Sequence, residues 1–244
     1  MLSTGGGVLL WSLLTSSASA APALSTKPPQ LVVGQTKVAE LTVPALAGSG
    51  VPQARVNVGE VLSVSSARGG AWRVRYRLPE GVFPQRLVLL LWRLDEAGKV
   101  RPRVHRVPLW APAVLPITTR PRSLVTLSLG GRLYGPRPSG ASGKLSFRVL
   151  VPPEITRGWA RVVDDKGLET RKAIEIRRAP YPHLVLALVP RGPRRGGIVS
   201  LLVVSSGRKL EPRLRSWGPG ALRGEHIELQ RRDGVHSGRL VLAK

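Results

Sequence analysis

The chain has 244 residues, 42% of them hydrophobic and 21% charged, enough apolar material to bury a core and too much for wholesale disorder. It has no cysteine, which excludes a disulfide scaffold, thiolate-zinc sites, thiol catalysis and a lipidated N-terminal Cys. Lys and Arg total 38 against 14 Asp and Glu, a formal charge of +24, so the surface attracts polyanions: nucleic acid, lipopolysaccharide, acidic polysaccharide or an anionic membrane. Thirty arginines stand against eight lysines, a bias that the codon usage of a high-GC genome also produces.

Residues 1 to 20 are read as a secretory signal peptide: the apolar stretch around Val8, Leu9, Leu10, Trp11, Leu13 and Leu14, then Ala18-Ser19-Ala20 before Ala21. The stretch is too short to span a bilayer, and no Lys or Arg precedes it. Residues 21 to 30 are expected to be a linker. Beyond them the signal is period-two alternation, clearest at Trp72-Arg73-Val74-Arg75-Tyr76-Arg77-Leu78, which predicts a half-buried strand with an arginine outer face. Further strands are predicted at residues 37–43, 53–58, 61–65, 86–94 and 103–109. Gly, Pro and Asn breaks separate them, the spacing of an antiparallel sandwich.

Two stretches repeat. WRVRYRLP at 72–79 aligns with LSFRVLVP at 145–152, and residues 87–98 align with 158–167, bringing Asp95 onto Asp164 and Gly98 onto Gly167. Pro112 and Pro180-Tyr181-Pro182 are the expected boundaries, because proline ends strands and stiffens linkers. The units are therefore 31–112, 113–180 and 181–244. The third is small or incomplete, with strands at 184–189, 198–205, 226–230 and 238–243 and a sheet edge open to strand addition.

Val33-Gly34-Gln35 leading into Ala39-Glu40-Leu41-Thr42-Val43, then residues 53–59 and Gly70-Ala71-Trp72, resemble bacterial immunoglobulin-like repeats of the invasin and intimin type. Residues 28–180 resemble secreted myxobacterial proteins built from such domains, with Val151-Pro152-Pro153 and Asp164-Asp165-Lys166-Gly167 carrying the likeness in the second unit. LQRRDGVHSGRL at 229–240 resembles the closing turn and strand of a filamin-like or Ig-like unit. The resemblance implies an all-β chain of tandem immunoglobulin-like antiparallel β-sandwiches, and export.

No catalytic, cofactor or metal site is expected. Ser139-Gly140-Ala141-Ser142-Gly143 lacks the spacing of a nucleophile elbow, and His105, His183, His226 and His236 are scattered singly. Asp95 and Asp164 each stand three residues before a Gly, which marks them as turn residues capping local amides. Trp72, Tyr76, Trp92 and Trp159 are read as core residues, leaving only Trp110 and Trp217 free to be exposed, too few for base stacking. Candidate polyanion contacts form two patches. Arg73, Arg75 and Arg77, joined by Arg101, Arg103 and Arg106, make the first. Arg191, Arg194 and Arg195 of a Gly-rich loop, with Arg231 and Arg232, make the second.

The expected function is an exported, non-enzymatic module of the periplasm, outer membrane or medium. It presents arginine faces to anionic polysaccharide, lipopolysaccharide or envelope proteins. Two rivals remain open: a non-specific nucleic-acid-binding protein, and a periplasmic chaperone acting by β-strand addition.

Overall fold

The computed structural model describes residues 24–176, 184–189, 198–205, 230–232 and 235–241. The expected signal segment, the boundary at 180–182 and the arginine-rich loop 190–197 lie outside them. The described residues are all β, apart from one short 3-10 turn at Arg68–Gly70.

The first unit comprises β1 (Ser25–Lys27), β2 (Leu31–Val32), β3 (Val38–Val43), β4 (Ser49–Val56), β5 (Glu60–Ser66), β6 (Trp72–Arg77), β7 (Gln85–Leu94) and the first half of β8 (Val100–Thr118). One sheet runs β1-β3-β6-β5; facing it, β8, β7 and β4 pair in that order, and β2 lies parallel to β8. Leu41, Val43, Val74 and Tyr76 from one sheet meet Leu87, Leu89, Leu91, Val107 and Leu109 from the other. The alternation of β6 explains its place: Val74 and Tyr76 are fully buried, while Arg73, Arg75 and Arg77 are exposed.

The second unit adds β9 (Leu124–Leu129), β10 (Arg132–Pro138), β11 (Lys144–Val151), β12 (Arg157–Val163) and β13 (Glu169–Glu175). Its larger sheet runs β10-β9-β12-β13, and β11 pairs with the second half of β8. Leu115, Ile117, Phe147 and Val149 close a core against Val125, Leu127, Leu129 and Val162.

Pro112, expected to end a strand and separate two units, lies inside the 19-residue β8, opposite Leu150. The first half of β8 pairs with β7, from Val100 to Leu109, and the second with β11, from Ala111 to Thr118. Each half therefore has its long partner on one side only, and a proline whose missing N–H faces the other side costs no ladder bond. The carbonyls of Leu150 and Ser146, opposite Pro112 and Pro116, likewise point away from β8, to the free edge of β11, where they accept from the Tyr134 hydroxyl and the Arg137 guanidinium. One face of β8 serves both cores, through Val107 and Leu109 and then Leu115 and Ile117.

The third segment contributes β14 (Leu184–Val189), β15 (Ile198–Ser205), β16 (Gln230–Arg232) and β17 (Val235–Val241), in the order β14-β15-β17-β16. Among the described residues it is a single sheet, not a separate sandwich. Val185, Ala187, Val189, Leu202 and Val204 pack on Val88, Leu90 and Trp92 of β7. The unbroken apolar run of β7 has its cause here: odd residues fill the first core and even residues the third, as in any strand covered on both faces.

The repeated stretches divide in the structure. The aligned turns match: Asp95 and Asp164 each accept a bond from the amide of the fourth residue on, Lys99 and Leu168, both at 2.8 Å. The aligned strands do not match, since β6 lies inside its sheet between β3 and β5, whereas β11 is an edge that pairs with β8.

Candidate functional site

The arginine face of β6 is exposed, and acids that the sequence reading did not weigh lie on it. Arg73 approaches Glu40 at 3.8 Å, and Arg77 holds Glu60 at 2.5 Å, because the register sets Glu40 opposite Arg75 and Glu60 opposite Arg77. Exposed pairs of this kind add little stability, but they neutralise two of the three guanidinium groups.

The three β8 arginines do not extend that face. Arg101 pairs with Asp95 at 3.0 Å, and Arg101 and Arg103 stand opposite Arg93 and Leu91, on the side of the first core. Arg106 stands opposite Val88, on the other side, and donates to the Ser205 carbonyl of the third sheet. Arg231 is exposed on β16, while Arg191, Arg194 and Arg195 lie outside the described residues, as does the side chain of Arg232.

A more concentrated basic site lies where the sheets of the second unit part. β10 and β11 are edges of different sheets, and two adjoining hollows of about 820 and 520 Å³ open beside them, sharing Val114, Tyr134 and Arg148. The backbone explains what faces them. Arg132, Tyr134 and Arg137 of β10 stand opposite Leu129, Leu127 and Val125 of β9, three buried core residues. Three β10 positions from Tyr134 to Arg137 span two on β9, so a bulge turns Arg137 onto the same face as Tyr134. Gly135 makes the bulge: its φ is +95°, and a Cβ there would lie 2.7 Å from the Val125 carbonyl oxygen.

From that face, Tyr134 donates to the Leu150 carbonyl at 3.4 Å and Arg137 to the Ser146 carbonyl at 2.9 Å, bridging the seam to β11. The Arg132 guanidinium stacks on the Trp110 ring at 4.6 Å, and that of Arg137 lies over Phe147 at 5.6 Å. Arg148 is exposed on the outer face of β11, opposite Val114. No acidic residue lines either hollow, and none of the three arginines forms an ion pair with a described residue. The sequence reading missed all three. The available signal was Gly135-Pro136 breaking a short basic run, the mark of a bulged edge strand.

Two tryptophans also depart from expectation. Trp159 is 40% exposed with Arg171 over its ring at 4.6 Å, because Gly158, Ala160 and Val162 take the inward positions of β12. Trp110, expected free, is partly buried and covered by Arg132.

The groups weighed for catalysis have structural partners. The Ser139 hydroxyl is buried, donates to the Arg120 carbonyl at 2.9 Å and accepts from the Ser123 amide at 3.1 Å. The Leu168 amide, then the Lys166 amide and Arg120, hold the Asp164 carboxyl below the usual carboxylate range; the Lys99 amide and Arg101 do the same for Asp95. Burial, with Arg103 beside it, lowers the pKa of His105, whose buried Nε2 has no hydrogen-bond partner among the described residues. Among the described residues no three His, Asp or Glu side chains gather as metal ligands would, and no helix is long and apolar enough to cross a membrane.

Compared with protein-family models, curated proteins and solved structures, the chain finds no match.

Proposed function

We propose that this chain is an exported, non-enzymatic binding module of the cell envelope, built on immunoglobulin-like sandwiches, that holds anionic polysaccharide or lipopolysaccharide by its arginines. The strand orders support the Ig-like part of the reading. A four-stranded β1-β3-β6-β5 sheet over β8-β7-β4 has the ABED-over-GFC order of a constant-type Ig domain, with the chain visiting the strands in the same sequence. The second unit has a different order, and the third sheet is layered on the first unit, so the likeness in topology belongs to residues 25–109.

The observation that carries the binding reading is the arrangement of charge. The chain carries a net +24, and the β10–β11 seam gathers three arginines at hollows whose linings include no acid. Contact of this kind is electrostatic and weakens steeply with salt. The test has two parts. Fractionation of the host with mass determination of the mature N-terminus should find a chain beginning at Ala21 outside the cytoplasm. Titration of the purified protein with lipopolysaccharide and acidic polysaccharide should show binding at low salt that fades toward 1 M. An intact Met1 in the cytoplasm, or no binding at low salt, would overturn the reading.

Nucleic acid remains the rival to test beside it, and Trp159 favours it: an exposed ring amid Arg157, Arg161 and Arg171 is the pattern of a base-stacking surface. Against it, Arg171 already covers that ring, and Glu169 pairs with Arg161 at 2.7 Å.

A further inference from the structure

We infer that the seam between β10 and β11 is the anion-binding site itself, and that its ligand is a linear glycan bearing carboxylate or sulfate groups. The inference rests on the polyanion reading above and names the site and the ligand chemistry.

Four observations converge on it. At the seam, unpaired arginines meet hollows of ligand size whose linings include no acid, whereas at the smaller hollow of about 310 Å³ beside Arg101 and Arg103, Arg101 is already paired with Asp95; sites of about 300–1,000 Å³ are typical for small ligands. The β6 face, by contrast, is exposed and partly neutralised by Glu40 and Glu60. Second, the arginines are held in place. Arg132 is stacked on Trp110 and Arg137 over Phe147, and Arg137 is further anchored on the Ser146 carbonyl. A guanidinium stacked by its face keeps its N–H edge free for the planar two-point contact that a carboxylate or sulfate accepts.

Third, the spacing suits an extended polymer rather than one small anion. Arg132 and Arg137 stand opposite Leu129 and Val125, four residues apart on β9, roughly 13 Å along the strand. Arg148 adds a third cation on the far lip. Fourth, the other polymers fit less well. The Trp110 and Phe147 rings are occupied by arginines, so nucleobases find no free face to stack on. A peptide strand adding to the open edge of β11 would meet the Ser146 and Leu150 carbonyls already engaged by Arg137 and Tyr134.

The experiment compares two double variants of equal charge change in the full chain. R132E/R148E alters the seam, and R73E/R75E alters the β6 face. Each is titrated at 0.15 M salt with polygalacturonate, dextran sulfate, neutral dextran and a single-stranded oligothymidylate, with Trp fluorescence reporting on Trp110. The expected result is binding of one or both acidic glycans, none of neutral dextran, and a loss of at least tenfold for R132E/R148E against less than threefold for R73E/R75E. The two acidic probes distinguish carboxylate from sulfate.

Equal losses in both variants would overturn the seam site while leaving general polyanion binding intact. Failure of the parent protein to bind either acidic glycan would overturn the seam reading, and failure to bind these glycans or lipopolysaccharide at low salt as well would overturn the polyanion reading with it. Tighter binding of the oligothymidylate, lost in the same seam variant, would replace the glycan with nucleic acid. Should R132E/R148E unfold, R148E alone carries the test, because Arg148 is exposed and its replacement removes no hydrogen bond described here; an unchanged affinity for R148E then counts against the site.

Discussion

Leu89 and Leu90 are neighbours in β7, both fully buried, and they belong to different cores. Leu89 packs between the two sheets of the first sandwich; Leu90 packs under β14 and β15. Truncating either to Ala should cost about 2–5 kcal/mol, the usual range for a buried Leu. The effects should separate in space. Leu90→Ala should speed hydrogen exchange in β14 and β15 while β3 and β6 stay protected, and Leu89→Ala should loosen β3 and β6. Exchange accelerated equally in all four strands by both variants would mean that the layers unfold as one unit.

The Tyr76 hydroxyl donates to the Val58 carbonyl at 3.0 Å, tying β6 to the turn between β4 and β5, and burial pushes its pKa upward. Tyr76→Phe leaves that carbonyl without its partner and should lower stability by about 1–3 kcal/mol in denaturant unfolding. Gly59→Ala should do more damage. The residue has φ +69°, and a Cβ would fall 2.4 Å from both the Tyr76 hydroxyl and the Arg77 carbonyl. A Gly59→Ala protein as stable as its parent would show that this turn relaxes freely.

At the seam, Gly135→Ala opposes the bulge that aims Arg137. The Cβ would meet the Val125 carbonyl, so the variant should lose stability and also weaken acidic-glycan binding, without any change of charge. Loss of stability with unchanged glycan affinity would show that Arg137 does not need the bulge to act.

Stability should fall on acidification in two stages. Half-buried His105 has a folded pKa below its unfolded value, so the unfolded chain takes up a proton first, and stability drops as pH falls below about 6.5. Asp95 and Asp164 have lowered folded values, so their contribution is complete above about pH 3.9 and is lost as pH falls through those values. His105→Gln should flatten the first stage and leave the second. A first stage unchanged in His105→Gln would assign it to another group.

Much of the local structure was legible because it follows from period-two patterning. β6 has the alternation read from it, β14 and β15 have the bounds expected, and the Asp95 and Asp164 turns cap themselves as their spacing suggests. What the sequence hid is how strands share sheets. Pro112 read as a boundary, yet a proline breaks a ladder only where its N–H would have had a partner, and that depends on which side the neighbour lies. Trp159 read as core because it stands beside an apolar run, although the small residues on either side hold the inward positions. The seam arginines were invisible because the bulge at Gly135 shifts parity by one, so Arg132, Tyr134 and Arg137 share a face that simple alternation would split between them.

A strand of 19 residues spans about 60 Å at the rise of a β-strand, and β8 does so while anchored to β7 at one end and β11 at the other. The two sandwiches are therefore coupled like spans on a common girder. A pull applied at the β11 end of β8 passes along covalent backbone into the first sandwich and, through β7, into the third layer. Slack that a flexible linker would absorb does not exist at this junction. Tension must instead be borne by shear of whole ladders of hydrogen bonds.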